Sequence, residues 1–108
     1  MEHKLYRPEH PQPGFYYHYK HDPSESVNNY AYEVLNIANH TETDEYMVVY
    51  RPLYESAVYK AGKMWDVRPH TMFMERVIVK GEEQMRFTPI ADPNVLEQLE
   101  MIKKEMYS

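Results

Sequence analysis

Short runs of residues with alternating character, each ended by turn-forming residues, fill the chain between Phe15 and Thr88. Such alternation is typical of β-strands, whose successive side chains point to opposite faces of a sheet. Because polar or glycine-containing turns separate the runs, neighbouring strands are expected to pair antiparallel. The pattern therefore predicts a mainly β fold, a small antiparallel SH3-like barrel with a C-terminal α-helix.

The predicted strands differ in regularity. They cover residues 15–20, 30–39, 46–50, 53–59, 65–67, 73–80 and 84–88. In the second of them the alternation breaks, because Tyr32 and Val34 share one face of the strand. Leu35 and Ile37 share the other face. A β-bulge near Val34 would let both pairs point inward.

The C-terminal segment carries the clearest helix signal. Asp92 is a good N-cap residue and Pro93 suits the first helical position, so a helix is expected to run to about Tyr107. Its apolar residues are spaced four, three and four positions apart and form one stripe, which consists of Val95, Leu99, Ile102 and Met106. One further helical turn is expected at residues 70–73.

A single domain is expected, since 108 residues leave room for one small core. Residues 1–14 are rich in proline, which removes backbone donors and fixes the backbone, so they are predicted to form an extended arm. Residues 15–90 are assigned to the barrel, and residues 91–108 to the helix that packs on it.

The composition excludes several classes of function. The chain contains no cysteine, which removes disulfides, thiol catalysis and zinc sites with cysteine ligands. It has 12 Lys and Arg residues against 17 Asp and Glu residues, and the net charge of −5 disfavours binding of duplex DNA. No apolar run approaches the ~20 residues of a membrane span, and the first residues lack the apolar core of a signal peptide. We therefore expect a soluble cytoplasmic protein without a membrane partner.

Several segments, taken in order, resemble a bacterial protein family. They are residues 14–20 (GFYYHYK), 32–34 (YEV), 38–43 (ANHTET), 48–54 (VVYRPLY), Trp65, 67–69 (VRP) and 72–75 (MFME). From about Gly14 to Thr88 the chain resembles the family called domain of unknown function 1653. The resemblance implies a compact β-rich bacterial domain and no established activity. Asp66 departs from the family pattern, in which the tryptophan directly precedes the Val-Arg-Pro unit.

Arg-Pro steps occur at Arg7, Arg51 and Arg68, and the last two indicate a ligand-binding face. Because a residue before proline is pushed into extended geometry, Arg51 and Arg68 are each expected where a strand leaves the sheet. A guanidinium beside aromatic rings can grip a planar anion bidentately while a ring stacks on it. The predicted ligand-binding residues are His40, Tyr50, Arg51, Tyr54, Trp65 and Arg68. In the alternative, both arginines pair internally with carboxylates such as Glu33, Glu42 or Glu75.

A metal-dependent alternative uses the polar segment after the second strand. His40, Glu42 and Asp44 alternate, so an extended chain would bring them together on one side, where His18 or His70 could complete a metal site. This gives the alternative function, a small metal-dependent hydrolase that uses His40 and Glu42. The same residues also fit a hydrophilic turn whose side chains bond their own backbone, and no tight metal-binding motif is present.

The expected function is that of a non-catalytic binding module, since the chain offers no arrangement of nucleophile and base and no glycine-rich phosphate loop. Small barrels recognise peptides, nucleic acids and modified residues, so the fold class does not choose among them. The expected partners are a small planar anion, single-stranded nucleic acid or a protein segment, with a second copy of the chain as a further candidate. No cofactor is expected.

Overall fold

The computed structural model describes residues 7–108, so the first six residues of the predicted arm lie outside the described residues. The elements in chain order are β1 (Gly14–His18), β2 (Ala31–Asn39), β3 (Tyr46–Pro52), α1 (Ala57–Lys60), β4 (Asp66–Pro69), α2 (His70–Phe73), β5 (Arg76–Val79), β6 (Glu82–Met85), β7 (Phe87–Pro89) and α3 (Pro93–Met106). The predicted mainly β fold with a C-terminal helix is confirmed.

The strands form two antiparallel sheets. Five of them make one sheet in the order β4-β3-β2-β1-β7, and β5 and β6 form a separate hairpin. The turn of this hairpin has positive φ at both Lys80 and Gly81, as a tight hairpin turn requires. β4 and β7 are the two edges of the larger sheet and do not pair, so within residues 7–108 the expected closed barrel is not found.

A β-bulge interrupts the pairing of β2 with β3, as the broken alternation predicts. Val34 lies opposite Tyr50 and Asn36 lies opposite Val49, so Leu35 is the extra residue. After the bulge Ile37 faces Val48, which places Ile37 on the same face of the sheet as Val34. The bulge therefore places apolar residues from both sides of the break on one face of the sheet.

Each face of the larger sheet has its own core. On one face Tyr16, Val34, Val48 and Tyr50 are buried beneath Phe73 and Phe87, and we call this the phenylalanine face. On the opposite face, the helix face, Ala31 and Leu53 are buried against Leu99 of α3. Because side chains alternate along β1, this strand contributes to both cores: Tyr16 belongs to the first, and Phe15 and Tyr17 pack against the second.

The helix α3 begins and ends close to the predicted positions. The side chain of Asp92 accepts hydrogen bonds from the backbone N–H groups of Asn94 and Val95, at 2.9 and 3.5 Å. Pro93 is the first helical residue, and Leu99 and Met106 of the predicted stripe are buried. Among the residues that the structure describes, no helix has the length and apolar character needed to cross a bilayer.

Three predicted strands differ from the structure. Residues 53–59 do not form a strand, because the Ser56 side chain accepts a hydrogen bond from Tyr59 N and caps the short helix α1. The strand predicted at 73–80 begins later, since Phe73 belongs to α2, which confirms the helical turn expected there. The strand predicted at 84–88 is divided, because β6 pairs with β5 while β7 pairs with β1.

The described part of the proline-rich arm lies against the sheet. Arg7 donates a hydrogen bond to Asn36 Oδ1 at 2.6 Å, and the Tyr16 hydroxyl donates to the carbonyl of Gln12 at 2.7 Å. A ring nitrogen of His70 lies 2.7 Å from the carbonyl of His10. These contacts attach the arm to β1, β2 and α2.

Candidate functional site

The register of the sheet places the two predicted arginines on opposite faces. Arg51 pairs with Glu33 of β2 and lies on the helix face, whereas its neighbour Tyr50 lies on the phenylalanine face. Arg68 pairs with Val48 and therefore shares the phenylalanine face with Tyr50. The structure does not bring the two guanidinium groups together in one concavity.

Arg51 forms an ion pair and a ring contact within the protein. Its Nε donates to Glu33 Oε1 at 2.8 Å, and its guanidinium lies 3.9 Å from the centroid of the Tyr107 ring. Glu33 Oε2 also accepts from Lys103 Nζ at 2.8 Å. Glu33 thus joins a strand residue to α3 through two cations. For Arg51, the internal pairing that the sequence left as an alternative is the one observed.

Arg68 is placed differently, because no ion pair joins it to any carboxylate in residues 7–108. Its Nε donates one long hydrogen bond of 3.3 Å to the Tyr50 hydroxyl. Its guanidinium lies 5.8 Å from the centroid of the Phe87 ring. Since Arg68 belongs to β4 and Phe87 to β7, the side chain lies in the opening between the two edge strands, which we call the seam.

Aromatic side chains surround the seam. His18 pairs with Phe87 across β1 and β7, and its backbone N–H donates to the carbonyl of Tyr30, which directly precedes β2. The rings of His18 and Phe87 lie 5.1 Å apart, and those of Tyr32 and Tyr50 lie 5.5 Å apart. We call the set the aromatic cluster; it consists of His18, Tyr30, Tyr32, Tyr50, Tyr54 and Phe87.

The electrostatics of the cluster combine a neutral imidazole with nearby cations. Burial, together with the nearby charges of Lys20, Arg86 and Arg68, lowers the pKa of His18 to about 4. The ring Nδ1 of His18 accepts a hydrogen bond from the backbone N–H of Lys20 at 3.1 Å. The imidazole is therefore uncharged at neutral pH, and Lys20, Arg86 and Arg68 place three cations near it.

Two tyrosines and a carboxyl group complete the seam. The hydroxyls of Tyr32 and Tyr54 share a hydrogen bond of 2.5 Å, and burial raises the pKa of both phenols. Burial also raises the pKa of Asp66, while the charge of Arg68 acts in the opposite direction. Asp66 lies opposite Tyr50 in the sheet and so lies at the edge of the cluster.

The family model described as a protein of unknown function (DUF1653) matches residues 14–89 of the chain. The chain belongs to the DUF1653 family. It is similar to a crystal structure of a DUF1653 protein from Bordetella bronchiseptica, with 32% sequence identity and a TM-score of 0.60. The similarity covers 78% of this chain and 95% of the other. No curated protein matches the chain.

The other residues predicted to bind a ligand lie apart from the aromatic cluster of this DUF1653 domain. The side chain of Trp65 is exposed and has no ring contact with any described residue. His40 lies in the turn after β2, where its backbone N–H donates to the carbonyl of Glu45 at 2.8 Å. Of the six predicted residues, the structure brings together Tyr50, Tyr54 and Arg68.

The residues of the metal-dependent alternative form a local turn. The ring Nδ1 of His40 accepts a hydrogen bond from the backbone N–H of Glu42 at 3.2 Å, which is the contact of a hydrophilic turn. Among residues 7–108, no group of three or more His, Cys, Asp or Glu side chains is arranged to hold a metal ion. The geometry of the DUF1653 domain thus provides His40 and Glu42 with no further ligand in its described part.

Sequence reasoning missed several members of the seam. Phe87 belongs to the strand predicted at 84–88, but the structure divides this strand, and its β7 part pairs with β1, which brings Phe87 close to Arg68. The sequence places Tyr32 on an inward face, but it gives no sign that the Tyr32 hydroxyl bonds the hydroxyl of Tyr54, 22 residues along the chain. The signal that could have found Arg86 is its position one residue before Phe87, at the point where the chain passes from β6 to β7.

Proposed function

We propose that this DUF1653 domain is a non-catalytic binding module that holds a planar anion at the seam. The observation that carries the proposal is the guanidinium of Arg68, which lies beside the aromatic cluster and has no ion-pair partner within residues 7–108. An arginine with free terminal N–H groups can bind a carboxylate or phosphate bidentately, because its planar fork matches their oxygens.

The charges around His18 support an anionic ligand. Lys20 forms no ion pair with the described residues, and the only ion pair of Arg86 among them is with Glu75, at 3.5 Å. The Nε atom of Arg86 is buried and has no hydrogen-bond partner in the described part of the chain. An anion at the seam would therefore meet three cations that the protein itself neutralises only in part.

The rings favour a ligand with a flat group. Base stacking on aromatic side chains is a general mode of single-strand recognition, and it needs only a few rings with one or two cations for the phosphate. Because the net charge of the chain is −5, a local contact of this kind fits better than a long electrostatic interface. The ligand class that we propose is a nucleotide unit, free or within a single strand.

The proposal keeps Arg68, Tyr50 and Tyr54 from the predicted residues, adds His18, and gives Arg51 a role in holding the helix. It also treats the curved sheet as an open variant of the SH3-like barrel, since Arg68 of β4 lies near Phe87 of β7 without strand pairing. We further propose a cytoplasmic location, for which only the composition argues.

The test is a titration of the full chain with uridine 5′-monophosphate and with a hexamer of deoxythymidylate, followed by calorimetry and amide chemical shifts. We expect binding that shifts the amides of β1, β4 and β7. Arg68→Ala should weaken it at least tenfold and remain folded. The matched control is Arg76→Ala, which removes an exposed arginine with a distant partner, Glu83 at 3.8 Å.

The outcomes separate the candidates. Binding of the oligonucleotide alone would identify a single-strand site, and binding of the mononucleotide alone would identify a small-ligand site. Binding that survives Arg68→Ala, or that Arg76→Ala weakens equally, would contradict the proposal. The proposal is also contradicted if neither probe shifts the amide signals of the strands at the seam.

A further inference from the structure

A second concave site shares Phe87 with the aromatic cluster. It is a cavity of about 290 Å³ beneath the proline-rich arm. The rings of Phe73 and Phe87 stack in parallel, 4.1 Å apart, and the edge of Tyr16 meets Phe73 at 6.0 Å. These three rings are buried, so they give the cavity a rigid aromatic wall.

Flexible and small apolar side chains complete the lining. Met74 follows α2 and Met85 ends β6, and both are partly buried. A thioether adapts its shape to a ligand and makes favourable contacts with aromatic rings. Pro89 of β7 and the buried Pro11 of the arm lie at the remaining sides.

The arm wall of the cavity is fixed at two points. The carbonyl of His10 is held by the ring of His70, and the carbonyl of Gln12 accepts from the Tyr16 hydroxyl. These bonds lie on either side of Pro11, so the arm residue that closes the cavity is held in place. A site whose walls are already positioned is typical of small-molecule binding, because little order is lost when the ligand enters.

We infer that this cavity is a binding site for an uncharged aromatic molecule of one or two rings. Its lining contains no Lys, Arg, Asp or Glu side chain, so a charged ligand would lose its hydration without a partner. The volume suits a bicyclic ring, since an apolar cavity of roughly 150 Å³ already binds benzene. His10 at the rim offers one polar contact to a ring N–H or hydroxyl. The inference is independent of the anion proposed for the seam.

The experiment labels the methionine methyl groups of the full chain with ¹³C and titrates it with indole. We expect saturable shifts of the Met74 and Met85 methyl signals, with a dissociation constant on the order of 1 mM or below. The signals of Met64 and Met101, which are exposed, should not move. Indole-3-acetate, which adds a carboxylate, should bind at least tenfold more weakly.

A filling variant sharpens the test. Met85→Trp places a larger side chain in the cavity and should weaken indole binding at least tenfold, as read from the Met74 signal. Met101→Trp makes the same exchange on the exposed side of α3 and should leave the affinity unchanged. If Met85→Trp fails to fold, the selective shifts in the natural chain still decide the question.

Three results would overturn the inference. They are the absence of a saturable shift, equal shifts at exposed methionines, and equal affinity for the charged analogue. Shifts of Met74 and Met85 that appear when only the protein concentration rises would likewise reject it, because a second copy of the chain would then occupy the cavity.

Discussion

Arg51 and Arg68 each precede the proline that ends a strand, yet the two faces of the sheet use them in opposite ways. On the helix face, Arg51 pairs with Glu33 and stacks on Tyr107, so its guanidinium helps to hold α3 on the sheet. On the phenylalanine face, Arg68 donates one long hydrogen bond to a hydroxyl and forms no ion pair with a carboxylate of the described residues. The same dipeptide therefore serves packing on one side and leaves a cation available on the other.

The difference follows from what covers each face. α3 places Lys103 and Tyr107 over the helix face, and this helix lies outside residues 14–89, which the family model matches. The seam is built from strands inside that span. An arginine beneath a packed helix must be neutralised because its charge loses water, whereas an arginine at an open edge need not be.

The largest effect is expected in the core of the helix face, and its absence would contradict the comparison of the two faces. Leu99 is completely buried, so Leu99→Ala should lower the free energy of unfolding by about 3 kcal/mol. Chemical denaturation measures it. Met101→Ala is the control on the exposed side of the same helix and should cost less than about 0.5 kcal/mol. Equal stability of Leu99→Ala and the natural chain would show that α3 does not cover this face in solution.

Arg51→Ala should have the second largest effect, a loss of about 2 kcal/mol in the same measurement. The side chains of Arg51 and Glu33 are only 13% and 10% exposed, so removal of one partner leaves a poorly solvated charge. The loss is smaller than for a fully buried pair, because Lys103 remains bound to Glu33. Arg76→Ala, whose pair with Glu83 is exposed, should change stability hardly at all. A neutral outcome at Arg51 would remove the distinction between the two faces.

His18 gives a pH-dependent test of the phenylalanine face. Its pKa is about 4 in the folded protein and near the ordinary value of 6.5 in the unfolded chain, so the unfolded state binds more protons between these values. Stability contributed by the neutral ring is therefore present above pH 6.5 and lost as the pH falls toward 4. His18→Phe should reduce this acid-induced loss of stability by about 1 kcal/mol. The reduction is smaller than for a fully buried imidazole, because solvent reaches the ring. Parallel pH profiles of the two proteins would contradict the assignment.

The smallest effect is expected at Arg68 itself. Arg68→Ala should change the free energy of unfolding by no more than about 0.5 kcal/mol, because the residue loses only one long hydrogen bond. The result is meaningful when measured beside Arg51→Ala. A loss at Arg68 as large as that at Arg51 would mean that both arginines serve the fold.

Local signals predicted those parts of the fold that local chemistry determines. The Asp92-Pro93 cap and the apolar stripe give α3, and the broken alternation around Val34 gives the bulge. The prediction failed at residues 53–59, where apolar residues suggested a strand but the serine cap starts α1. It also failed where the chain changes partner strands between Met85 and Phe87, since pairing with a distant strand leaves no mark in a short run.

Prediction of the candidate site from the sequence is limited in the same way. The sequence identifies Arg51 and Arg68 as residues at strand ends, but the face to which each points depends on the register. A shift of one residue moves a side chain to the opposite face, and no pattern within 48–54 or 65–69 fixes that choice. The seam depends in addition on the approach of β4 to β7, whose residues are far apart in the chain.

The edges of the larger sheet affect how the protein behaves in concentrated solution. β4 has four residues and β7 has three, and the last residue of each is a proline. A strand from another molecule would thus find only a short row of backbone groups on either side, with the final donor missing. These edges therefore offer few hydrogen bonds through which the sheet could continue from one molecule into the next, as it does in fibrils. At both edges this tyrosine-rich chain therefore presents few backbone groups to a neighbouring molecule.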